Sequence, residues 1–75
     1  MAQKKSITGV VTDASGETVI GASVVEVGTT NGVITNLDGK FTLMVDPNGK
    51  IKVSYVGYQP QTIDVKGKNS FNIKL

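Results

Sequence analysis

The sequence predicts an all-β fold, a seven-stranded antiparallel β-sandwich, from three observations. One residue in three is β-branched, with 11 Val, 6 Ile and 8 Thr, whereas Leu, the usual filler of helical cores, occurs only 3 times. Gly, Asn, Asp and Pro cut the 75 residues into short pieces. Within those pieces apolar and polar residues alternate with a period of two, and no segment keeps a helical period.

The first piece, Lys5 to Asp13, is expected to be a strand with Ile7, Gly9 and Val11 on one face and Thr8, Val10 and Thr12 on the other. Asp13-Ala14-Ser15-Gly16 turns the chain. Thr18 to Gly21 reads as a short extended link, and Ala22 to Val27 as the second strand. The facing of that strand is open. Ala22 and Val24 share a face with Glu26 while Val25 and Val27 take the other, so either both faces are partly covered or a bulge shifts the alternation.

Gly28 to Gly32 forms a loop in which Asn31-Gly32 supplies residues tolerant of positive φ, and Val33 to Thr35 makes a brief strand. Asn36-Leu37-Asp38-Gly39 turns tightly back into a strand from Lys40 to Val45, which aligns Phe41, Leu43 and Val45. Asp38 is expected to hydrogen-bond the backbone of its own turn. In the next turn, Asp46-Pro47-Asn48-Gly49, Pro47 presets φ and Gly49 is expected in the left-handed region. Ile51, Val53 and Tyr55 then alternate with Lys52 and Ser54. Gly57-Tyr58-Gln59-Pro60 interrupts, and Pro60 marks the start or exposed edge of a strand from Gln61 to Val65. After the turn Gly67-Lys68-Asn69, Phe71, Ile73 and Leu75 alternate with Asn72 and Lys74.

The residues predicted to point inward are Ile7, Val11, Val24, Phe41, Leu43, Ile51, Val53, Ile63, Val65, Phe71 and Ile73. Each contributes about 1.5–3 kcal/mol when fully buried. Two facing sheets accommodate them, whereas a single open sheet would leave one face without a cover. A chain this short has room for one domain, and without Cys no disulfide or thiolate metal site supports it.

Composition also narrows the chemistry. The absence of His and Cys excludes a Ser-His-Asp triad, a cysteine nucleophile and imidazole metal ligands. No apolar run approaches the length needed to span a bilayer or to form a signal-peptide core. The net charge of +2 is uneven, with a deficit before Asp38 and six of the eight Lys after it. Those Lys are scattered over strands and turns, and there is no Arg for bidentate phosphate or guanine contacts, so nucleic acid is not the expected partner.

The order of motifs carries more. Ile7-Thr8-Gly9-Val10-Val11-Thr12-Asp13, Gly16, Ile20-Gly21-Ala22-Ser23-Val24, Gly28-Thr29-Thr30-Asn31-Gly32, Thr35-Asn36-Leu37-Asp38-Gly39-Lys40-Phe41 and Val53-Ser54-Tyr55-Val56-Gly57-Tyr58 follow one another along the chain. In that order and spacing they resemble the carboxypeptidase-regulatory-like domain, in the form found at the N-terminus of SusC-like TonB-dependent outer-membrane receptors. The resemblance covers roughly residues 6 to 75. It implies an immunoglobulin- or transthyretin-like sandwich, preceded by a tail over residues 1–5 in which Met1 reads as an added initiator before the start of an exported chain. It further implies that a receptor would continue beyond Leu75 into a linker, a TonB box and a plug.

What the resemblance implies about function is a non-enzymatic accessory domain on the periplasmic face of the outer membrane, without cofactor or metal and without direct membrane insertion. Its expected partners are the plug and barrel of the parent receptor and TonB-system proteins, reached through open sheet edges that also permit strand-edge self-association. Gly9 is expected to leave room for a bulky neighbour such as Phe41 or Tyr58. Asn36 stands where the family more often has Asp, which argues against a cation site in that loop.

Two alternatives rest on particular residues. Tyr58, with Gln59 and Gln61 beside it, is the candidate interaction surface for a glycan or peptide, since Tyr combines an aromatic body with a polar handle. Lys5, Glu26 and Asn72 have the residue types of a Lys-Asn isopeptide cross-link, as in an adhesin or pilus-like domain. Enzymatic readings are weaker. Asp13, Asp38 and Asp46 fall at turns, where Asp serves the backbone, instead of forming a hydrolytic pair. Asn36-x-Asp38-Gly39 begins like a calcium loop but lacks the later ligands.

Overall fold

Alternation of buried and exposed side chains is the physical basis of every strand in the computed structural model, which describes residues 3–75. The strands are β1 (Lys5–Thr12), β2 (Ser23–Glu26), β3 (Gly32–Ile34), β4 (Lys40–Val45), β5 (Lys50–Ser54), β6 (Gln61–Asp64) and β7 (Ser70–Lys74). They form two sheets, one ordered β4-β1-β7 and the other β3-β2-β5-β6. The readings of Met1 as an initiator and Ala2 as a mature start fall outside the described residues. Lys5 already belongs to β1, within the segment expected to be a tail.

One pairing corrects the all-antiparallel expectation. β1 and β7 run parallel, with Gly9 beside Phe71 and Val11 beside Ile73. All the other pairings are antiparallel. Local alternation is the same for both directions, so the sequence pattern could not distinguish them. The parallel pair becomes accessible because the whole of the chain between β1 and β7 serves as the crossover.

The two sheets supply one core. Ile7, Val11, Val24, Phe41, Leu43, Ile51, Val53, Val65, Phe71 and Ile73 are buried as expected, joined by Val19, Ala22 and Val45. Ile63 is only half-buried and packs against that core. Its strand, β6, is a sheet edge that begins just after Pro60, in keeping with the missing N–H of proline. Gly9 acts as expected towards Phe41: a Cβ there would sit 2.5 Å from Phe41 Cε1 and 3.0 Å from the Phe71 carbonyl oxygen. The Phe41 ring therefore crosses β1 where a side chain is missing.

Three turn readings are revised. Asn36, not Asp38, holds the β3–β4 turn, because its Oδ1 accepts hydrogen bonds from the N–H groups of Asp38 (2.9 Å) and Lys40 (3.0 Å). Only an acceptor oxygen is needed there, which is why Asn can stand in for Asp. Neither Asn31 nor Gly32 takes positive φ; in that loop Gly28 does, at 83°. Gly49 also avoids the left-handed region. Its glycine is explained by space: a Cβ would lie 3.2 Å from the Asp46 carbonyl oxygen and 3.4 Å from Glu26 Oε2.

Candidate functional site

Strand directions sort the loops into two ends. β1 runs from Lys5 to Thr12, β7 runs with it, and the Leu75 N–H donates to the Thr12 carbonyl at 2.8 Å. The Thr12 end therefore gathers the 13–22 link, the β3–β4 turn and the β5–β6 loop. The Lys5 end gathers the β2–β3 loop, the β4–β5 turn and the β6–β7 turn.

The Lys5 end is closed by polar side chains. Glu26 resolves the ambiguity of its strand by facing inward with Ala22 and Val24, without a bulge. Only 4% of its surface is exposed. Its Oε2 accepts from the Asp46 N–H at 2.7 Å, and its Oε1 accepts from Asn31 Nδ2 at 3.3 Å. Lys4 Nζ lies 3.6 Å from the same Oε1. The Asp46 N–H foremost, with Asn31 and Lys4 adding to it, holds the Glu26 carboxyl below its ordinary pKa against the opposing effect of burial. Lys5 Nζ donates to the carbonyls of Val65 (2.6 Å) and Lys68 (2.8 Å), pinning the β6–β7 turn.

This arrangement does not assemble the isopeptide set. Asn72 is level with Val10 on β1, five residues from Lys5 along the strand, and Glu26 lies in the opposite sheet with Lys4 as its cation. Among the described residues, no three His, Cys, Asp or Glu side chains converge as a metal site would require.

The Thr12 end has a different character. Thr18 bridges back to Thr12, and the Val19 N–H donates to the Val11 carbonyl at 2.9 Å, which buries Val19 and leaves Ile20 outside. Thr35, only 2% exposed, fixes this link: its Oγ1 donates to the Val19 carbonyl at 2.6 Å and accepts from the Ala22 N–H at 2.9 Å. Asp13 Oδ1 accepts from Ser15 Oγ (2.6 Å), the Ser15 N–H (2.9 Å) and the Glu17 N–H (3.0 Å). The Ser15 hydroxyl is the main reason the Asp13 carboxyl stays below its ordinary pKa, against the opposing effect of desolvation and with the backbone N–H donors of Glu17, Ser15 and Gly16 adding to it.

Between these two held segments and the β5–β6 loop lies an open cleft of about 240 Å³, lined by Asp13, Thr18, Val19, Ile20, Tyr55 and Tyr58. The two tyrosine rings pair with centroids 6.3 Å apart and a tilt of 38°. Tyr58 thus joins Tyr55 and Ile20, not the glutamines expected beside it. Gln59 is exposed, and Gln61 is engaged elsewhere, its Nε2 donating to the Lys74 carbonyl at 2.7 Å to clip β6 to β7. Tyr58 was visible in the sequence, but Asp13, Thr18 and Ile20 were not, because the contact between their segment and the β5–β6 loop is set by sheet packing.

The sheet edges differ as well. Along β4, Asn31 Nδ2 donates to the Met44 carbonyl (2.7 Å) and the Asn36 N–H to the Lys40 carbonyl (3.0 Å), so loops cover that edge. On β7, the ladder alternation turns the backbone groups of Ser70 and Asn72 away from β1.

Comparison with known proteins adds the following. The family model described as CarboxypepD_reg-like domain matches residues 7–75. The chain is 45% identical over 73 residues to the TonB-dependent receptor SusC of Bacteroides thetaiotaomicron, which covers 97% of this chain and 7% of that receptor. It is 29% identical over 73 residues to the TonB-dependent receptor P39 of Formosa agariphila, covering 96% of this chain and 7% of the receptor. With the TonB-dependent receptor P3 of the same organism it shares 29% identity over 76 residues, 99% of this chain and 8% of the receptor. The chain thus spans less than a tenth of the length of these relatives.

Proposed function

This chain belongs to the CarboxypepD_reg-like domain family, and from that premise we propose that it serves as a non-enzymatic accessory domain of a SusC-like TonB-dependent nutrient or glycan receptor, at the periplasmic face of the outer membrane. The observation that carries the reading is the 45% identity to a TonB-dependent receptor over 97% of the chain. The domain acts by interaction or assembly, its partners being the plug and barrel of its own receptor and proteins of the TonB system. A polar, closed Lys5 end and a loop-rich Thr12 end with exposed apolar side chains support a role in contact, and the carboxylates of Asp13, Asp46 and Asp64 are occupied with backbone N–H groups.

The test is deletion of residues 6–75 from a receptor that carries them, with nutrient uptake and the amount of receptor in the outer membrane as readouts. A fall in either is expected. If both stay at wild-type levels, the accessory role is refuted.

A further inference from the structure

We propose that the cleft at the Thr12 end is a peptide-docking site that takes one large apolar side chain from a polypeptide with basic flanking residues. This goes beyond membership of a receptor, since it assigns a site and a class of ligand to this chain's own residues.

Size is the first argument. At about 240 Å³ the cleft is smaller than the roughly 300–1,000 Å³ typical of small-molecule sites, and suits a single anchoring side chain. The second argument is the surrounding surface. Ile20 (53% exposed) and Tyr58 (40%) line the cleft, and Leu37 (78%) and Val56 (85%) project from loops of the same end. Such a concentration of apolar side chains outside the core is the usual mark of an interaction surface.

Charge sets the kind of partner. No lysine lines the cleft; Asp13 does, and Glu17 directly precedes Thr18 in its wall. Basic residues beside the anchor would meet these carboxylates. The walls are also fixed in advance by the Thr35 and Asp13 hydrogen bonds, so little ordering remains to be done on binding.

A sugar fits less well. The tyrosines are tilted against each other and Tyr58 is more than half covered, so neither presents a free flat face. Asp13 Oδ1 is already committed to three donors, and Ile20 and Val19 offer nothing to hydroxyl groups.

The experiment is an NMR titration of the ¹⁵N-labelled chain with the blocked pentapeptide Lys-Lys-Phe-Lys-Lys. Amide shifts confined to residues 13–21 and 55–59 are expected. Replacing the peptide's Phe with Ala weakens binding about tenfold or more, since it removes a buried aromatic side chain. Acidic flanks in place of Lys weaken it as well. Ile20→Ser and Glu17→Lys, both at exposed positions, reduce affinity without moving the unfolding midpoint. The proposal is overturned by an absence of shifts at millimolar peptide, by shifts at the Lys5 end, or by equal binding of the Ala peptide. It is likewise overturned if maltohexaose or cellohexaose shifts the cleft residues while the peptide does not. Because the isolated chain is used, this outcome is independent of the uptake test.

Discussion

Replacing Glu26 with Ala tests whether a buried carboxylate, and not apolar packing alone, closes the Lys5 end. Glu26 accepts the Asp46 N–H at 2.7 Å and Asn31 Nδ2 at 3.3 Å, with Lys4 at 3.6 Å. A hydrogen bond to a charged group contributes about 1.5–3 kcal/mol, and an exposed cation adds about 0–1 kcal/mol. The Asn31 bond is long, and Asn31 Nδ2 keeps its 2.7 Å bond to the Met44 carbonyl, so the Asp46 contact dominates. Glu26→Ala is therefore expected to cost about 2–4 kcal/mol. A domain of this length has a total stability of roughly 4–11 kcal/mol, so the loss is a large fraction. At about 4–8 °C per kcal/mol it lowers the melting temperature by roughly 8–32 °C.

Glu26→Gln keeps the shape and one acceptor for Asp46 but loses the charge, and is expected to cost about half as much. Urea unfolding followed by circular dichroism measures both variants. Acid supplies a second readout. The Glu26 pKa is lowered in the folded state, so its stabilisation is fully present above the ordinary value of 4.5 and is lost as pH falls through the folded value. The stability gap between wild type and Glu26→Gln should accordingly hold above the ordinary carboxyl value of 4.5 and narrow as the pH falls below it. The reasoning is refuted if Glu26→Ala lies within about 0.5 kcal/mol of wild type, or if the gap to Gln does not change with pH.

Further substitutions address the other devices. Gly9→Ala places a Cβ 2.5 Å from Phe41 Cε1 and is expected to cost about 1–3 kcal/mol in urea unfolding, with part of the loss recovered in the double variant with Phe41→Leu. Thr35→Val preserves volume but removes the bonds to Val19 and Ala22, and should cost about 1–3 kcal/mol while increasing amide exchange at Ala22. Ser15→Ala removes the main stabiliser of the Asp13 carboxylate, so the Asp13 pKa read by carboxyl NMR should rise towards 3.8. Gly39→Ala adds a Cβ 2.7 Å from the Val11 carbonyl at a φ of +70°, and should lower the melting temperature measurably.

Much of the strand pattern was legible because a half-buried strand writes its facing into every second residue. The bounds of β4 follow from Phe41, Leu43 and Val45 alone, all of them buried. Val19 was missed because its burial depends on the link folding back on β1, a pairing that no local pattern encodes. Glu26 illustrates another limit. Alternation put it inward beside Ala22 and Val24, but a buried carboxylate requires partners, and these come from Asn31 and Asp46 in separate loops. The candidate site was legible only in Tyr58. Tyr55, Ile20 and Asp13 meet it because the Thr12–Thr18 bridge folds the 13–22 link back on β1 and the β2–β5 ladder sets the end of β5 beside the start of β2.

The two ends also separate what the fold needs from what it does not. At the Lys5 end, Glu26 and Lys5 satisfy three backbone groups from two turns, β4–β5 and β6–β7, so changes there act on stability. At the Thr12 end the stabilising groups are Asp13 and Asn36, each a hydrogen-bond acceptor for its own loop, and Thr35, which ties the 13–22 link through Val19 and Ala22. Ile20, Leu37 and Val56 add nothing to that network and lie outside the core. They belong to the surface that the proposed peptide contact would cover. Polar replacement of all three should therefore leave the unfolding midpoint within about 0.5 kcal/mol of wild type while abolishing contact at this end. A large loss of stability instead would place them in the fold and remove the argument for an interface.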